Sequence, residues 1–133
     1  MEKYILQGLE FTLKKATLEQ QRNVFNYSNK MNKAIMNELK ESLLEMEKYK
    51  EDRTSVNYLF AENDYNLKMV QVSSEYAYNE NNLKELFELM LDGEVDKIDY
   101  KSGDADEMVN LSKVLIDNFF SKLKSKQAKK TDN

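Results

Sequence analysis

Between Thr17 and Lys50 apolar residues recur at helical spacing for more than thirty residues, and that stretch decides much of what the chain can become. The 133-residue sequence has no proline, and its three glycines, Gly8, Gly93 and Gly103, all lie outside this region. Thr17 followed by Gln20 makes a capping box, in which the hydroxyl takes an orphan amide of the first turn and the longer side chain reaches back. A helix is therefore expected to begin at Leu18. Its apolar seam runs Val24, Ser28, Met31, Ile35, Leu39, Leu43, Met46 and Lys50, in steps of three and four that hold one face together. Phe25, Met36 and Leu44 widen that face. Continued to Lys50, the helix would be about 50 Å long at 1.5 Å per residue. A compact chain of this size has a radius of gyration of only about 14 Å. Either the helix breaks, at Tyr27–Lys30 or Lys40–Ser42, or it projects and its seam needs another chain.

The remaining segments read as short elements around that helix. Leu9, Phe11 and Leu13 alternate with Glu10, Thr12 and Lys14 just after Gly8, so residues 4 to 13 are expected to form a strand or hairpin. Glu51–Thr54 is a charged connection, and Ser55–Glu62 carries Val56, Leu59 and Phe60 on a possible short helix. Residues 67 to 78 fit two periods. Val70, Val72, Ser74, Tyr76 and Tyr78 alternate like a strand, whereas Tyr65, Met69, Val72 and Tyr76 suit a helix, which is the preferred reading. Further on, Asn82 with Glu85 forms an N-cap pair for Leu83, Leu86, Phe87, Met90 and Leu91, and Gly93 stands where a left-handed C-terminal residue is wanted. Asp104 with Glu107 caps a last helix bearing Met108, Leu111, Val114, Leu115, Phe119, Phe120 and Leu123. The expected fold class is mainly α, a helical bundle with a short N-terminal β element, or α+β should residues 67–78 form a strand. Leu86, Phe87, Met90, Leu115 and Phe119 are the expected core joining the last two helices. One helical domain over 1–124 and a basic disordered tail over 125–133 complete the expected organisation.

The side chains that carry most chemistry are missing. There is no Cys, His or Trp, and hydrophobic residues at 41% with charged residues at 33% give a globular rather than disordered composition. Without Cys there is no disulfide framework or thiolate metal site, which suits a reducing cytoplasm. The only apolar run near the start is Tyr4-Ile5-Leu6, too short for a signal peptide or a membrane span. Residues 92–107 hold seven acids against two lysines, but the order of ligands in a calcium loop fails when either Gly93 or Gly103 takes the glycine position. Ser42, Ser73, Ser74 and Ser112 have lysines nearby only as any lysine-rich chain would, and isolated glycines build no phosphate-cradling loop. Tyr58, Phe60, Tyr65, Tyr76 and Tyr78 could stack on bases, yet the positive groove that accompanies such platforms is absent from an acidic segment. The net charge of −4 divides unevenly, with five lysines against Asp132 from Ser121 onward and a net −8 before it. Lysines at a helix C-terminus favour its dipole, so nucleic acid is not the expected partner. The expectations are no enzyme, no cofactor and no metal.

Asn82-Leu83-Lys84-Glu85-Leu86-Phe87-Glu88-Leu89-Met90-Leu91-Asp92-Gly93-Glu94-Val95-Asp96-Lys97-Ile98-Asp99-Tyr100, then an acidic turn and a helix ending Ile116-Asp117-Asn118-Phe119-Phe120, resembles the small tail assembly chaperones of long-tailed bacteriophages. Phe11-Thr12-Leu13-Lys14-Lys15-Ala16-Thr17 resembles their short β element leading into the first helix. The likeness covers about the first 25 residues and 80 to 124. It implies a mostly helical, non-enzymatic protein of the host-cell cytoplasm that coats the tape-measure protein, or associates with itself, before the tail tube polymerises. The interface expected from the residues is Val24, Met31, Ile35, Leu39, Leu43 and Met46, covered by a protein partner or a second copy, with no membrane involved. The other reading is a small acidic phage-encoded inhibitor or adaptor, motivated by the net −5 of residues 92–107.

Overall fold

The computed structural model describes residues 2–131, with side chains through Lys124. The elements in chain order are β1 (Lys3–Leu6), β2 (Leu9–Leu13), α1 (Leu18–Glu47), α2 (Val56–Ala77), α3 (Glu80–Met90), β3 (Leu91–Asp92), a 3-10 turn (Val95–Lys97) and α4 (Ala105–Thr131). The chain is mainly α with a short N-terminal β element, as its periodicities predict. The α+β alternative is not realised, because residues 67–78 lie within or just after α2. The residues form two compact units: one takes the chain up to Gln21 together with everything from Glu80 on, and the other is Arg22–Asn79. Of the tail expected to be disordered over 125–133, residues 125–131 continue α4 as helix and the rest lie outside the described residues.

The first unit is built on a β-hairpin. Leu6 pairs with Leu9 across a two-residue loop in which Gln7 (φ 54°) and Gly8 (φ 76°) are both left-handed, the geometry of a type I′ turn. A side chain at Gln7 makes that conformation cost about 1–2 kcal/mol, and three hydrogen bonds offset it. Gln7 N donates to Glu107 Oε1 (2.7 Å), Gln7 Nε2 donates to the Asp99 carbonyl (2.9 Å), and Asp99 N donates to Gln7 Oε1 (2.8 Å). The loop before α4 is thus fastened to the hairpin tip. A Cβ on Gly103 would collide with Gln7 Nε2 and the Asp99 carbonyl, which leaves glycine as the residue that fits.

β2 pairs on its other side with β3, Leu13 opposite Leu91 and Thr12 opposite Asp92. Leu91 therefore joins the sheet and not the helix, and Gly93 is not the helix-ending residue its position suggested. Its φ of 137° and the Phe11 ring, whose Cδ1 would lie 2.8 Å from an added Cβ, explain the glycine. α3 starts at Glu80, so Asn82 falls inside its first turn instead of capping it. At the other end Lys14 Nζ donates to the Glu88 carbonyl (2.6 Å), placing a positive charge where α3 leaves its carbonyls unpaired. α4 begins where expected, with Glu107 N donating to Asp104 Oδ1 (3.1 Å). Leu6, Phe11, Leu86, Phe87, Met90, Leu91 and Leu115 are all buried, while Phe119 is half-buried.

Tyr100 stacks on Phe87, with centroids 6.3 Å apart and planes 25° from parallel. Its hydroxyl is buried with no hydrogen-bond partner among the described residues. Burial, and secondarily the Glu88 carboxylate, push its pKa from 10.0 to about 12. The folded state therefore keeps the proton above pH 10 while the unfolded chain loses it. Stability is complete below pH 10 and falls by about 2 kcal/mol between pH 10 and pH 12. Urea titrations should show this extra loss in the native protein and not in Tyr100→Phe; equal alkaline slopes in the two would mean that the hydroxyl reaches water.

In the second unit α1 continues unbroken through both expected break sites and ends at Glu47, short of Lys50. Its last turn tightens: Tyr49 N donates to the Met46 carbonyl (3.2 Å) and Lys50 N to that of Glu47 (3.4 Å), both spanning three residues. Asp52 Oδ1 then accepts from Thr54 N (3.0 Å) and Thr54 Oγ1 (2.6 Å), bonds that hold its carboxyl below the usual range. Ser55 follows as N-cap, its hydroxyl accepting from Tyr58 N (3.2 Å), and α2 absorbs both the expected short helix and the ambiguous residues after it. α2 buries Tyr58, Ala61 and Val72. A shallow cleft of about 190 Å³ lined by Glu41, Ser42, Glu45, Ala61, Asp64 and Lys68 shows that the two helices face each other.

Candidate interaction surfaces

The seam singled out on α1 is its covered face. Val24 and Leu39 are 0% and 1% exposed, and Met31, Ile35, Leu43 and Met46 are half-buried. The residues that widen the face are the exposed ones, with Phe25 at 40%, Met36 at 50% and Leu44 at 54%.

α2 carries the larger uncovered surface. At about 100° per residue, Tyr58, Ala61, Tyr65, Val72 and Tyr76 share one side, and all five are buried or half-buried. Val56, Leu59, Phe60, Leu67 and Val70 occupy a band on the opposite side, with exposures of 52–67%. The side chains interleaved with that band, Asn63, Gln71 and Ser74, are uncharged. Single exposed apolar residues are ordinary on a protein surface, but five on one face of a single helix exceed that scatter. It also separates Tyr58 from Phe60, so the aromatics of residues 58–78 form no single stacking platform. The band does not show in the sequence, where Val56, Leu59 and Phe60 read as a short helix ending before Leu67.

A second surface lies in the first unit. A groove of about 220 Å³ is lined by Leu13, Ala16, Met90, Leu115, Phe119 and Leu123, with Lys14, Lys122, Gln20 and Gln21 also contributing. It is smaller than the cavities of about 300–1,000 Å³ that hold cofactors and drug-sized ligands.

The acidic stretch of residues 92–107 is engaged in local structure. Asp99 Oδ1 accepts from Lys101 N (3.2 Å) and Ser102 N (3.0 Å), Asp104 caps α4, Glu107 holds Gln7, and Glu94 pairs with Lys97 at 3.0 Å. Among the described residues no group of three or more acids gathers to hold a metal ion. No described helix is long and apolar enough to cross a membrane. Comparison with protein-family models, with curated proteins and with solved structures finds no match to this chain.

Proposed function

We propose that this protein acts without catalysis, by covering apolar helical surface of a protein partner or of a second copy of itself. In the setting its sequence resembles, the partner is the tape-measure protein of a phage tail and the role is that of an assembly chaperone. The observation that supports this most directly is the exposed band of α2, which no residue of its own unit covers. Five side chains, each more than half exposed, offer on the order of 500 Å². Two such faces together would remove about 1,000 Å² from water, the lower bound for a specific interface. A partner helix laid along α2 would read as anchors three and four residues apart.

Phe60→Glu combined with Leu67→Glu tests this. Both residues point to solvent, so far-ultraviolet circular dichroism should stay unchanged. Self-association by sedimentation, or capture of a phage tape-measure protein offered as partner, should weaken at least tenfold, which is about 1.4 kcal/mol. A native protein that sediments as a monomer and captures no tape-measure protein would end the chaperone reading.

A further inference from the structure

The groove of the first unit differs in chemistry from the α2 band, and we propose that it is a separate docking site for an acidic segment of a protein partner, one apolar side chain flanked by carboxylates. Its floor is apolar: Met90 and Leu115 are 2% and 1% exposed, and Leu13 and Phe119 are half-buried beside them. Its charged lining residues are Lys14 and Lys122, both exposed, and no carboxylate is among the residues that line it. In a chain with 24 acids against 20 basic residues, an apolar groove whose charged lining is lysine and whose other polar lining is neutral glutamine selects negative charge. Lys14 is held in place by its bond to the Glu88 carbonyl, which satisfies one of its three ammonium hydrogens and leaves two to point elsewhere.

The dimensions set the size of the occupant. A volume of about 220 Å³ takes an anchor side chain such as leucine or phenylalanine. From Leu115 to Lys122 along α4 is about 10 Å at 1.5 Å per residue. A carboxylate one helical turn from the buried anchor would therefore come within reach of Lys122. The apolar anchor supplies affinity, and the lysines choose the sign of its neighbours.

Methyl spectra of the full chain with labelled methionines provide the readout, since Met90 lies in the groove floor. The probe is a synthetic helical peptide with one leucine flanked by glutamates, compared with the same peptide carrying lysines for glutamates, and with decanoate as a lipid-like anion. The acidic peptide should shift the Met90 methyl saturably below about 1 mM. The lysine peptide should leave it in place. Lys122→Glu should weaken the acidic peptide at least tenfold, and Ala16→Trp, at an exposed position on the groove, should block it without changing the circular dichroism. The effect should also fade with salt. Equal binding of the two peptides, no movement of Met90, or binding of decanoate alone would each overturn the proposal. Because Phe60 and Leu67 lie outside the groove, their double glutamate variant should bind the acidic peptide as the native chain does.

Discussion

Phe87→Ala is expected to lower the unfolding free energy by about 3–5 kcal/mol, the cost of deleting a fully buried aromatic ring and leaving its volume unfilled. Phe87 is 0% exposed, lies in the last turn of α3, and stacks with Tyr100 from the loop before α4. Neither the methionine nor the leucines beside it can collapse into a space that large without leaving their own rotamers. Domains of this size are stable by about 5–15 kcal/mol, so the loss is a large fraction of the total. A urea titration followed by tyrosine fluorescence measures it directly. A loss under about 1 kcal/mol would mean that the ring is accessible and that α3 and α4 are held by something else.

Phe87 was legible from the sequence because most apolar residues of its helix gather on one face. Leu83, Leu86, Phe87 and Met90 fall at helical spacing, and all four are buried. The hairpin was legible for the same reason at a period of two. α2 was not, and the cause is physical: it is apolar on opposite sides. Val70 and Val72 sit on its outer and inner faces respectively, and a helix with both faces apolar produces the same alternation as a strand. The groove was invisible for a different reason. Lys14 and Lys122 stand at opposite ends of the chain, and only the sheet pairing of β2 with β3 and the packing of α3 with α4 bring Leu13, Met90 and Leu115 together. Gln7 gave no sign of its left-handed backbone because the residues that hold it, Asp99 and Glu107, are also remote in sequence.

The seam on α1 poses the sharpest test, since periodicity alone does not say whether an apolar stripe is covered by its own chain or by another. Leu39 is 1% exposed in a single chain, which places it in the core of the second unit. Leu39→Ala should therefore lose about 2–5 kcal/mol of stability. It should leave association per folded molecule unaltered. The double glutamate variant at Phe60 and Leu67 should do the reverse, because those side chains are 67% and 63% exposed and their removal opens no cavity. Measuring denaturant midpoints and sedimentation on both variants separates the two faces. If Leu39→Ala instead keeps the native midpoint and abolishes association, the seam of Val24, Met31, Ile35, Leu39, Leu43 and Met46 is an interface. α1 would then have to turn that face outward when a partner binds.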